Sequence, residues 1–138
     1  MTQKTIQLAV ITDQPDRAEM VDIVSIPLGW HVRANSGHMQ PLHWLFLQIA
    51  GAAIDVVLID IELPNAESLV RQIAVTYPQI PLLAMCTADR LVDLQPIMLA
   101  GAKDVVACPI NPEHFTTAVE RAVADSSGFV DAVSYTHL

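Results

Sequence analysis

Five short apolar runs alternate along the chain with five segments whose apolar residues recur at helical spacing. Residues 6–12 (IQLAVIT) read as a buried strand. Gln14-Pro15-Asp16 then opens a helix over residues 15–26, with proline early, where its missing N–H costs nothing. Pro27-Leu28-Gly29 ends that helix, and residues 30–34 (WHVRA) form a weaker strand. Leu42, Leu45, Phe46 and Ile49 share one face of a helix over residues 41–52. The strongest strand is residues 55–61 (DVVLIDI), whose continuous β-branched run suits a central parallel strand buried on both sides. A helix over 66–77 follows, then a strand over 82–86 bracketed by Pro78 and Pro81. Pro96 should kink the next helix, residues 90–100, or mark a late start. A short strand over 104–107 and a helix over 112–124 complete the pattern.

This strict alternation predicts βαβ units around a parallel sheet, and right-handed crossovers with short connections leave few topologies. The expected fold class is α/β, five parallel strands with helices on both faces. Residues 1–125 form the domain and 126–138 a disordered tail. The last segment, AVSYTHL at residues 132–138, resembles the in-frame translation of the transposon-end adapter used in sequencing libraries. It is set aside from the fold as an artefact, and the native chain is expected to continue into an output domain.

Composition narrows the function. Of the 138 residues 52% are apolar and 16% charged, which excludes a wholly disordered chain. A formal charge of −8 without a Lys/Arg cluster argues against a nucleic-acid surface. No run approaches the ~18 uninterrupted apolar residues of a membrane span. The start, MTQKTIQLAV, runs directly into a strand without a cleavage site, so a cytoplasmic location is expected.

In an open parallel sheet, ligands bind at the carboxyl ends of the strands. Thr12, Asp13, Asp60, Cys86, Thr87, Cys108 and Pro109 stand there. Asp60, at the mouth of the central strand, could accept a phosphoryl group, ligate a metal or merely cap a loop.

The segments ITDQPD, DVVLIDIELPN and AGAKDVVACPINPEHF, in that order, resemble the response-regulator receiver (CheY-like) family over residues 5–124. The resemblance implies a flavodoxin-like (CheY-like) fold with strand order 2-1-3-4-5 and phosphorelay signalling in a two-component system, with Asp60 as phosphoacceptor and a histidine kinase as partner. It implies a Mg²⁺ site from Asp13, Asp60 and the backbone carbonyl of Glu62. One acid is replaced by Thr12, so only weak Mg²⁺ binding is expected. The phosphoryl-contacting hydroxyl falls at Cys86 or Thr87, with Cys86 favoured by counting from Pro81. Cys108 replaces the lysine of the family. Pro109, which follows it through a cis bond in the family, is kept, and Val105 replaces the aromatic switch residue. Asp60 and Asp13 are expected to face Cys108 as an uncompensated acidic pair, with Lys103 the candidate for any substitute cation. Loss of a carboxylate and a lysine, each worth about 2–4 kcal/mol in the transition state, would leave phosphorylation slow. The sequence is therefore read as an atypical, non-enzymatic receiver acting by protein docking or self-dimerisation. It is similar to the receiver-like domain of CpaE/TadZ-type pilus-assembly ATPases. The rival is a slow, Asp-phosphorylated regulator of a C-terminal DNA-binding domain.

Other residues add little chemistry. Cys86 and Cys108 read as small buried hydrophobes in preference to a redox or metal pair. His31, His38 and His43 match no metal spacing. Trp30 and Trp44 are expected to pack the second strand against its helix, and Met85 and Met98 to fill the core.

Overall fold

The computed structural model describes the backbone of residues 5–35 and 40–136, with side chains to Ser126. A five-stranded all-parallel sheet in the order β2-β1-β3-β4-β5 is flanked by helices. The strands are β1 (Gln7–Ile11), β2 (His31–Asn35), β3 (Val56–Asp60), β4 (Leu82–Thr87) and β5 (Asp104–Cys108). Between and after them run α1 (Pro15–Ser25), α2 (Pro41–Gly51), α3 (Ala66–Thr76), α4 (Leu94–Ala100) and α5 (Pro112–Thr136). This is the predicted flavodoxin-like topology.

Each central strand is buried on both sides, and alternation sorts its residues into two cores. Ala9, Ile11, Val57, Ile59, Leu82, Ala84 and Cys86 face α2, α3 and α4 through Leu45, Val70, Ile73 and Ile97. Leu8, Val10, Val56, Leu58, Leu83, Met85 and Cys108 face α1 and α5 through Val21, Phe115 and Val119. Trp30 belongs to this second layer, its ring centroid 6.0 Å from that of Phe115. It therefore packs under the sheet against α5, whereas Trp44 packs into the opposite core. Met85 has no exposed surface, but Met98 is turned to solvent, because α4 buries its Ile97 and Ala100 instead.

Two boundaries depart from the sequence pattern, the start of α4 and the end of α5. Residues Ala88–Asp93 form a 3-10 segment and α4 starts late, at Leu94. Pro96 thus falls in the first turn, where backbone N–H groups have no acceptor in any case. At the far end of α4, Gly101 has φ 137°, and a Cβ there would come 2.6 Å from Ala74 Cβ. Glycine is what lets α4 turn into β5 so close to α3. The second departure is that α5 continues past residue 124 to Thr136, and the Ser126 hydroxyl donates to the Gln79 carbonyl at 2.7 Å. Gly128 weakens a helix by about 1 kcal/mol relative to alanine, but no proline follows Pro112 to stop it. Residues 126–136, read from sequence as part of a disordered tail, thus carry on as helix, while 137–138 lie outside the described residues. Among the described residues no helix is long and apolar enough to cross a membrane.

Candidate functional site

The carboxyl ends of β1, β3, β4 and β5 converge on Asp60, whose side chain has no exposed surface. Strand alternation places Thr12, two residues after Val10, and Asp60, two after Leu58, on the face that packs against α1 and α5. Thr87, two residues after Met85, lies on the same face and registers with Cys108 across the β4–β5 pair. Cys86 registers with Ala107 and is packed in the opposite core. Of the two hydroxyl-site candidates, then, geometry brings Thr87 beside Cys108 and turns Cys86 away. Counting from Pro81 missed this because a one-residue slip along a strand reverses the face. The Thr87 hydroxyl hydrogen-bonds Asp89, which holds that exposed carboxyl below its usual range. Cys108–Pro109 is a cis peptide, as the resemblance implied.

A buried carboxylate must find donors or neutralise itself. Asp60 has four hydrogen bonds' worth of acceptor sites and three donors already on them. Arg17 Nη1 donates to Oδ1 at 2.7 Å, and the Glu62 backbone N–H donates to the same oxygen at 3.0 Å. The Thr12 hydroxyl donates to Oδ2 at 2.7 Å and in turn accepts from the Gln14 N–H at 3.0 Å. The second arm of the guanidinium, Nη2, lies 2.5 Å from Glu62 Oε2. Arg17 is 8% exposed. Burial works against its charge, but the hydrogen bond to Glu62 and the field of Asp60 outweigh that and raise its pKa. It stays a guanidinium.

Arg17 was not among the residues singled out from sequence, yet a signal existed. Arg17, Val21 and Ser25 are the buried residues of α1 and recur every four positions, so an arginine occupies the core-facing stripe. A charged residue there requires a buried partner of opposite sign. Lys103 is not the substitute cation. It is exposed and precedes β5, at the amino ends of the strands, away from Asp60.

Asp13 is exposed and takes no part in the bonds that hold Asp60. The expected uncompensated pair of Asp13 and Asp60 is therefore absent, because Arg17 neutralises Asp60 from below. The donor set does not fit a tightly held divalent ion: both Asp60 oxygens already accept hydrogen bonds, one of them from Arg17, the Glu62 carboxylate is paired, and Thr12 brings no charge. Among the described residues no cluster of three or more His, Cys, Asp and Glu side chains could hold a metal. His31 and His43 are exposed, and His38 lies outside the described residues.

Cys86 and Cys108 are both free thiols on opposite sides of the sheet, so neither a disulfide nor a shared metal joins them. Burial pushes both thiols up, against the pull of Arg17. They stay protonated and act as small apolar groups.

No family model and no curated protein matches the chain. Solved structures do. The chemotaxis response regulator CheY4 of Vibrio cholerae is 19% identical with a TM-score of 0.70, covering 86% of this chain and 99% of its own. A response regulator receiver domain protein from Clostridium thermocellum is 18% identical with a TM-score of 0.75, covering 88% and 97%. The fold is that of a receiver domain. NtrX from Brucella abortus, 18% identical, superposes with a TM-score of 0.82 over 96% of this chain but only 29% of its own length. A receiver fold can thus be one part of a longer protein. On this fold the carboxyl ends of β1 and β5 carry Thr12 and Cys108, and the cation at the centre comes from α1.

Proposed function

We propose that this receiver-type domain transmits signals by protein docking or self-association, and that regulated phosphorylation of Asp60 is not its trigger. The observation that carries the reading is the buried Asp60 carboxylate, both of whose oxygens are engaged, by Arg17, Thr12 and the Glu62 N–H. An acceptor must offer a free oxygen to the donor phosphorus, and a fixed cation must meet the transferring oxygens. Asp60 offers one only by giving up the Thr12 hydrogen bond at Oδ2 or the Arg17 ion pair at Oδ1, and Cys108 supplies no charge. The same reading leaves Mg²⁺ binding too weak to be populated by millimolar ion, and includes the absence of turnover.

The docking face runs along α4, β5 and α5. A groove of about 620 Å³ there is lined by Leu91, Val105, Pro109, His114 and Arg121. Leu91 in this lining is 44% exposed, and Val92 before α4 and Leu99 on it are 86% and 80% exposed. Apolar surface of this kind favours association with a protein partner. On this reading the domain positions or dimerises an attached output unit, as in the receiver-like domains of CpaE/TadZ-type ATPases.

Sedimentation across a concentration series, with and without acetyl phosphate and Mg²⁺, tests the proposal. The expected result is association that ignores the donor and weakens when Lys103, Asp104 and Glu113 are all charge-reversed. Stoichiometric phosphorylation by intact mass, with a donor-dependent change in association, would favour the rival: a slow phosphoaccepting regulator, served by a histidine kinase and coupled to a DNA-binding domain.

A further inference from the structure

The mismatch between the donor set and a divalent ion has a positive counterpart. A guanidinium presents two parallel N–H edges, a geometry suited to gripping carboxylate oxygens. Arg17 uses one terminal nitrogen on Asp60 at the end of β3 and the other on Glu62, two residues further on. One cation thereby bridges two carboxylates and ties the first turn of α1 to the central strand. Thr12, where the resemblance expects an acid, donates a hydrogen bond to the oxygen of Asp60 that Arg17 leaves free. An acid at position 12 would instead repel Asp60, so the threonine and the arginine suit the same arrangement.

We infer that Arg17 is the resident cation of the Asp60 site, holding Asp60 and Glu62 in place of a divalent metal, so that this site is a permanent clasp between α1 and β3. The inference deepens the phosphorylation-independent reading above, but it concerns what holds the site and not what binds the docking face. A clasp encoded in the chain cannot be loaded or emptied by an input. The carboxyl end of the sheet then stays in one state at any Mg²⁺ concentration. Asp60 serves as the anchor of the clasp, which explains an acid buried without exposed surface in a site short of its other chemistry.

The test is thermal unfolding of the whole chain in EDTA and in millimolar Mg²⁺. The wild type should unfold at the same midpoint in both. Arg17→Ala should unfold several degrees lower in EDTA, and Mg²⁺ should restore part of the loss, because Asp60 and Glu62 are released together. Arg17→Ala/Asp60→Asn should lose that Mg²⁺ response. A wild-type midpoint that rises with Mg²⁺, or an Arg17→Ala variant that neither loses stability nor responds to the ion, overturns the inference. Should Arg17→Ala fail to fold, a Mn²⁺ titration of the wild type decides. The amide signals of Ile61 and Glu62 should show no saturable paramagnetic broadening, and saturable broadening there would refute the clasp. The docking proposal can fail by sedimentation while this result stands, and the reverse also holds.

Discussion

Arg17 Nη1 lies 2.7 Å from Asp60 Oδ1, joining the core-facing edge of α1 to a carboxylate with no exposed surface. Breaking a buried pair by removing one partner is far costlier than removing both. Arg17→Met should therefore lower the free energy of unfolding by about 3–5 kcal/mol, since Asp60 is left charged and unpaired. Arg17→Met/Asp60→Asn should lose clearly less than the sum of the two single changes, with a coupling of about 2 kcal/mol. Equilibrium urea unfolding of the four proteins measures the cycle. Strict additivity would mean that the two side chains do not depend on each other.

The turn from α4 into β5 offers a second, independent test. Gly101 combines φ 137° with a site where a Cβ would meet Ala74 Cβ at 2.6 Å. Gly101→Ala meets both backbone strain and overpacking, and should cost about 2–4 kcal/mol in the same assay. Adding Ala74→Gly should relieve the contact but leave the strain, recovering only part of the loss. Full recovery would place the whole effect in the contact.

The two thiols predict a pH dependence. Burial raises both in the folded state, so between the unfolded value of about 8.5 and the folded value the native chain holds protons that the unfolded chain has released. Their contribution to stability is complete below about pH 8.5 and is lost as pH rises through the folded value. Cys86→Ala/Cys108→Ala should therefore show a shallower decline in stability above about pH 8.5 than the wild type. Alkylation of the native protein at neutral pH should be slow and limited by opening. Rapid labelling of either thiol would contradict its burial.

Much of this molecule was readable before any coordinates. The continuous run from Val56 to Ile59 suits a strand covered on both sides, and the alternation of such runs with helical segments points to a parallel sheet, while the order 2-1-3-4-5 came with the receiver resemblance. Pro96 left two options open for α4, and the late start is the one that wastes no hydrogen bond. The site was harder, because its logic is three-dimensional. Asp60, Thr12 and Cys108 were legible as strand-end residues. The facing of Cys86 and Thr87 depended on a register that counting alone could not fix. Arg17 was overlooked because a charged residue in a helix usually faces solvent. Its four-residue spacing to Val21 and Ser25 argued otherwise.

The clasp also changes what it should take to rebuild a phosphoryl-binding site here. Were Asp60 merely short of a cation, Cys108→Lys alone would tighten binding of beryllofluoride with Mg²⁺, and Thr12→Asp would tighten it further. With Arg17 already on Asp60, the new lysine meets a neutralised carboxylate, and the new aspartate replaces a donor with a repelling charge. Cys108→Lys/Thr12→Asp should therefore bind the mimic little better than the wild type and be less stable. Adding Arg17→Ala should change this. The guanidinium leaves and Asp60 regains free oxygens. The introduced aspartate then joins Asp13 in supplying charge for the metal, and the introduced lysine faces the incoming fluorides. The three changes meet at one site, so their effects should be strongly non-additive, with most of the gain appearing only in the triple variant. Fluorine NMR of bound beryllofluoride, titrated against each protein, reads this directly. Saturable binding by Cys108→Lys/Thr12→Asp with Arg17 intact would mean that the guanidinium swings away readily and is no clasp. No binding by a folded triple variant would mean that packing around Cys108 and Thr87, beyond charge alone, keeps the phosphoryl mimic out.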